Sequence, residues 1–138
     1  MRVVGLDLGG RRIGVAVSDA SGTVASPHSV LERRGDTASD HATIAAVIAE
    51  LGAERVVVGL PLSLDGTVGP AASAVRDEIE ALAAVLPIPV EAHDERFTTV
   101  TAERALTAQR VRARDRRGVV DQVAAAVILQ SWLDATRD

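Results

Sequence analysis

Arg2-Val3-Val4-Gly5-Leu6-Asp7-Leu8-Gly9-Gly10-Arg11-Arg12-Ile13-Gly14-Val15-Ala16-Val17-Ser18 reads as strand, turn, strand. Arg2 to Leu8 is apolar apart from Asp7 near its end, and Gly9 to Arg12 forms the turn. In Ile13 to Ser18 the large residues Ile13, Val15 and Val17 alternate with small ones, the pattern of a sheet with one tightly covered face. Ser21-Gly22 signals another turn, and Thr23 to Leu31 gives a third strand, irregular near Pro27. Three strands joined by short turns predict an antiparallel meander.

Downstream the pattern changes to alternating helices and strands. A helix is expected over Thr37 to Leu51, with Ile44, Val47, Ile48 and Leu51 on one face and Gly52 as its stop. Arg55 to Gly59 is apolar throughout, as buried parallel strands are. Pro70 suits the first position of a helix that continues to about Val85. A fifth strand is expected over Ile88 to Ala92. A short helix, capped by Thr98 or Thr99, should run to about Ala108, and a last one from Gly118 to Leu133. The fold class is therefore α/β, a mixed five-stranded sheet (three antiparallel strands, then two parallel) with helices on both faces.

At 138 residues, with no linker, repeat or low-complexity segment, residues 1–138 read as a single domain. Hydrophobic residues make up 47%, yet no apolar run approaches membrane-spanning length, and no membrane partner is expected. The N-terminus goes straight into a strand, so no secretory leader is expected. With no cysteine, disulfides, zinc thiolates and a thiol nucleophile are excluded, and a cytoplasmic location is the default.

Acids stand at three places where a core would not put them. Asp7 ends the first strand, although an aspartate before a glycine turn is more commonly a turn former. His93-Asp94-Glu95-Arg96 follows the fifth strand directly, and acids at the carboxyl end of such a strand sit where open α/β sheets bind ligands. They could equally complement the dipole of a following helix. Asp121 lies on the apolar face of the last helix, with Ala125, Ile128 and Trp132 at helical spacing. Arg117, four residues earlier, is its alternative partner. Unpaired buried carboxylates are costly, so three of them suggest one shared cation. Oxygen-only ligation favours Mg2+ (or Mn2+) over zinc. His93 reads as a hydrogen-bonding neighbour of the site, while His28 and His41 read as surface residues. No Gly-x-x-x-x-Gly-Lys loop and no Gly-x-Ser-x-Gly elbow is present.

All 15 basic residues are arginine and the net charge is −4. Arg110, Arg112, Arg114, Arg116 and Arg117 with Asp115 leave +4 in eight residues and −8 over the other 130. A basic segment on an acidic domain fits a polyanion touched at one edge, and also fits an ordinary solvated loop.

Taken together, Gly5-Leu6-Asp7-Leu8-Gly9 with Arg12-Ile13-Gly14-Val15-Ala16, Val58-Gly59-Leu60-Pro61 with Asp65-Gly66-Thr67, Asp94-Glu95-Arg96-Phe97-Thr98-Thr99, and Val120-Asp121-Gln122-Val123-Ala124-Ala125 with Ile128-Leu129-Gln130 resemble the YqgF/RuvX family, in order and over essentially the whole chain. The resemblance implies a ribonuclease H-like fold, similar to the RuvC Holliday-junction resolvases. It also implies a metal-dependent nuclease acting on the 5′ end of pre-16S rRNA in ribosome biogenesis or, alternatively, on Holliday junctions. Asp7, Glu95 and Asp121 would be the catalytic acids and, with Asp94, the metal ligands; which of Asp94 and Glu95 contacts metal stays open. Two magnesium ions about 3.5–4 Å apart would activate water and stabilise the leaving oxygen, Asp7 bridging them. Arg11, Arg12, Arg96 and the arginines at 110, 112, 114, 116 and 117 would grip phosphates of a structured RNA or DNA junction. The protein would act as a monomer or a homodimer, because a junction resolvase must cut two strands. A non-catalytic nucleic-acid-binding module and an actin-like nucleotide-binding fold are the other classes open to this pattern.

Overall fold

The computed structural model describes residues 1–97 and 116–136, and the backbone alone for residues 97 and 116–122. Five strands form one sheet in the order β3-β2-β1-β4-β5. β1 (Val3–Leu8), β2 (Arg12–Ser18) and β3 (Ala25–Glu32) make the antiparallel meander. β4 (Arg55–Leu60) and β5 (Val90–Asp94) then add in parallel beside β1. α1 (Thr37–Leu51) and α2 (Pro70–Val85) connect β3 to β4 and β4 to β5. A single 3-10 turn, Glu95–Phe97, follows β5, and α3 spans Arg116–Thr136. The helix expected from Thr98 to Ala108 and the basic segment up to Asp115 lie outside the described residues.

Strand alternation assigns the two faces. Val4, Leu6, Ile13, Val15, Val56 and Val58 pack with Ile44 and Ile48 of α1 and Leu82 of α2. Val3, Ala16 and Val57 point the other way, against Ala125, Ile128, Leu129, Trp132 and Leu133 of α3. Helices therefore cover both faces, as expected from the sequence. α3 comes close to the sheet because Gly5 leaves room: a Cβ there would meet the Leu129 Cβ at 2.7 Å and the Ala125 carbonyl at 3.0 Å. At the β5 edge the Trp132 indole donates to Glu91, and the Arg55 guanidinium lies 5.9 Å above the indole.

Two expectations shift. β5 begins at Val90, two residues later than read, because Pro87 and Pro89 have no N–H to pair; the Pro89 carbonyl accepts from the Val56 N–H at 2.9 Å. The strand consequently runs through His93 and Asp94, which pair with Gly59 and Leu60. The irregularity expected near Pro27 is a slip in the β2–β3 register, Val15 pairing with Ser29 and Ala16 with Pro27. Among the described residues no helix is long and apolar enough to cross a membrane.

Candidate acidic centre

β1, β4 and β5 run parallel, so their carboxyl ends share one edge of the sheet. Asp7 belongs to the α3 face, in alternation with Val3 and Gly5. The register that pairs Leu6 with Val58 brings Asp7 beside Gly59. Gly59 is where Glu95 enters. A Cβ on Gly59 would meet the Glu95 Cγ and Cδ at 2.9 Å and the Ile128 Cδ1 at 2.5 Å. The bare backbone of β4 is thus the floor over which Glu95 folds back towards β1.

The electrostatics agree with that geometry. The Glu95 carboxyl is pushed up to about 7, first by burial and then by the negative charges of Asp7 and Asp94. Asp94 goes the opposite way. Arg96 donates to it from Nε at 2.8 Å, from Nη2 at 2.6 Å and from its backbone N–H at 2.9 Å. These bonds hold the Asp94 carboxyl below its ordinary value against a smaller opposing effect of burial. The two neighbouring acids therefore differ: Asp94 is braced by Arg96, and Glu95 faces Asp7.

Arg96 also packs on Gly66, where a Cβ would meet Nη1 at 3.0 Å. Gly66 has φ +87, in the left-handed region, inside a turn closed by Gly66 N–H to Ser63 O at 2.7 Å and Ser63 N–H to Thr67 O at 3.0 Å. Pro61, Leu62 and Leu64 of this loop, with Glu95 and Arg96, line a cleft of about 280 Å³.

Asp121 lies in α3 one turn before Ala125, whose carbonyl sits over Gly5. Trp132, Leu133 and Thr136 lie near Met1 and Val3, so α3 runs antiparallel to β1 and its N-terminal turns head towards the Asp7 end. The side chains of Asp121, Arg116 and Arg117 lie outside the description, as do Arg110, Arg112 and Arg114 entirely. Among the described residues no group of three or more His, Asp or Glu side chains could hold a metal; Asp7 and Glu95 are the two expected acids that meet there. His93 hydrogen-bonds Ser131 of α3 at 2.9 Å, as a neighbour and not a member of the pair. Arg11 is exposed on the β1–β2 turn, and Arg12 approaches Glu32 at 3.4 Å.

His41 corrects the surface reading. It is 4% exposed and hydrogen-bonds Glu78 at 2.9 Å. Its spacing to Ile44 and Ile48 on the buried face of α1 was the available signal. The role of Gly59 as a floor for Glu95 has no local signal, because it depends on β5 lying beside β4.

An antiparallel meander continued by parallel strands, with carboxylates at the shared edge, is the ribonuclease H-like arrangement. Thermus thermophilus RuvC has the same fold: in its complex with a Holliday junction substrate it aligns with TM-score 0.61 and 18% identity over 98% of this chain and 94% of that one. The RuvX family, described as "Holliday junction resolvase", matches residues 1–135, and the chain belongs to that family. A relative from Anaeromyxobacter dehalogenans is 50% identical over 134 residues, covering 97% of each chain. One from Chloroflexus aggregans is 46% identical over 136 residues, covering 99% of this chain and 95% of that one. Both carry the name "Putative pre-16S rRNA nuclease".

Proposed function

We propose that this protein is a divalent-metal-dependent nuclease that trims the 5′ end of pre-16S rRNA in the cytoplasm. The observation that carries the reading is the meeting of Asp7 and Glu95 over Gly59, at the carboxyl ends of parallel strands. The donor set fits a hard cation. Its oxygens are carboxylates, and burial together with the charges of Asp7 and Asp94 raises Glu95, a crowding of negative charge that Mg2+ or Mn2+ would relieve. Asp7 and Glu95 would hold the metal, with Asp121 as the third acid, and Asp94 would serve through its grip on Arg96.

The bound metal supplies an activated water and charge stabilisation at the leaving oxygen. The chain's own residues do the rest. Asp7 pairs with Gly14 of β2 and directly follows Leu6, the last residue of β1 paired with β4, so its carboxylate is presented on a rigid element. Arg96, braced by Asp94, lines the cleft beside Glu95 with its guanidinium oriented for a phosphate. Arg11 and Arg12 on the first turn and the arginines at 110, 112, 114, 116 and 117 would carry the flanking backbone.

The family description supports a second substrate, the four-way DNA junction, for which a homodimer would be needed. One experiment addresses both: labelled precursor-rRNA 5′ fragment and labelled junction, each incubated with purified protein with and without Mg2+. Metal-dependent cutting of the RNA alone is the expected result. Cutting of the junction alone favours the resolvase, and binding without cutting of either would leave a non-catalytic module.

A further inference from the structure

Outside the acidic centre, Arg33, just past β3, is bonded in three directions. Its side chain is 16% exposed. Nη1 and Nη2 donate to the two carboxylate oxygens of Glu78 on α2, each at 2.8 Å. Nη1 also lies 3.5 Å from Asp40 in the first turn of α1, and Asp40 accepts from the Arg34 N–H at 2.9 Å. His41 hydrogen-bonds Glu78. The third nitrogen, Nε, points elsewhere: it donates to the carbonyl of Gly9 at 2.7 Å. The Arg33 N–H bonds the Arg11 carbonyl at 2.9 Å.

Gly9 is two residues past Asp7. Its N–H is shared between the Asp7 carbonyl at 3.1 Å and the Arg12 carbonyl at 2.9 Å. A Cβ on Gly9 would sit 2.7 Å from the Arg12 carbonyl, so the turn is closed as tightly as a backbone allows. Arg33 ties this turn to both helices of the opposite face.

We infer that Arg33 is a positioning residue for the acidic centre, holding through Gly9 the turn that fixes Asp7 at one end and Arg11 and Arg12 at the other. Glu78 and Asp40 supply the anchorage. Burial works to raise the Glu78 carboxyl, but the bonds from Arg33 and His41 outweigh it and leave it ionised. A guanidinium is required because three directions are bonded at once: Glu78 through the fork, Asp40 beside it, and Gly9 through Nε. Lysine would keep the charge for Glu78 and lose the bond to Gly9.

The inference rests on the nuclease reading, so its test separates the two. Mn2+ affinity of the metal-stripped protein is measured by calorimetry, and kcat and KM on the RNA fragment, for Arg33→Lys, Gly9→Ala and Ile48→Val. Gly9→Ala moves the turn while leaving the ion cluster intact, and Ile48→Val loosens the core away from the turn. Arg33→Lys and Gly9→Ala should each weaken Mn2+ binding about 10-fold, as loss of a group supporting a metal ligand does, and lower kcat by more than they raise KM through Arg11 and Arg12. Ile48→Val should lower Tm alone. Folded Arg33→Lys with the affinity and kcat of the unaltered protein overturns the inference; if Arg33→Lys does not fold, an indifferent Gly9→Ala overturns it. If the unaltered protein neither binds Mn2+ nor cleaves, the nuclease reading fails and takes this one with it.

Discussion

The Glu95 side chain lies across Gly59 so closely that a methyl group there would stand 2.9 Å from its carboxyl carbon. Glycine at residue 59 is thus a condition for Glu95 to reach the neighbourhood of Asp7. Gly59→Ala should cost about 1–3 kcal/mol as an overpacked substitution. The Ile128 methyl, also in the way, is held in the core at 1% exposure, so the half-buried Glu95 side chain is the one that gives way. Cleavage should fall about 100-fold, the scale of a 1 Å misplacement. A Gly59→Ala protein that is destabilised yet cleaves normally would detach Glu95 from the chemistry.

Burial and the charges of Asp7 and Asp94 push Glu95 up to about 7 from an ordinary value of 4.5. A carboxyl raised on folding favours the folded state while protonated. That contribution is fully present below about 4.5 and is lost as pH rises through about 7. In chelator, Glu95→Gln should therefore gain Tm over the unaltered protein at pH 8 and show no gain at pH 4. Asp7→Asn should lower the Glu95 midpoint, because the Asp7 charge is one of its causes. The same variant should lose cleavage while keeping its fold and an equal or higher metal-free Tm. Full activity in Asp7→Asn removes Asp7 from the mechanism.

Asp121→Asn distinguishes a catalytic acid from an ion-pair partner of Arg117. As the third acid it should abolish cleavage at nearly constant Tm. As a partner of Arg117 alone it should lower Tm and spare activity. Thermal unfolding alongside the cleavage assay reads both.

If the arginines before α3 neutralise phosphates, the log of the binding constant should fall against log salt by about 0.7–0.9 per contact. Arg112→Ala combined with Arg114→Ala should then flatten the slope by about one to two, raising KM and leaving kcat nearly unchanged. An unaltered slope would put the nucleic-acid track elsewhere on the surface.

Much of this architecture was legible because it is local. The bounds of α1 and α2 follow from Gly52 and Pro70, and β4 from its unbroken valines. β5 was read two residues early because Ile88 looks like strand, whereas pairing needs N–H groups that the flanking prolines lack. Asp7 and the Asp94–Glu95 pair stood out as acids at strand ends. Their division of labour did not, since it depends on Arg96 turning back to Asp94 and on a glycine lying opposite. Arg33, Asp40, His41 and Glu78 left no trace in the sequence as a cluster, because helix packing brings residues 33, 40 and 41 to residue 78.

Coverage of the second sheet face by α3 has a consequence for the order of events during synthesis. β1 is made well before the helix that closes over Gly5, which begins more than a hundred residues later. Until it arrives, the face bearing Asp7, Val57 and Gly59 stays open to water, and the half-made protein has a sheet with one wall missing. Pairing of distant segments is a slow step in folding. The pair of Asp7 on the first strand and Glu95 just past the fifth is therefore enclosed last, and an unfinished chain carries both carboxylates on an open sheet face.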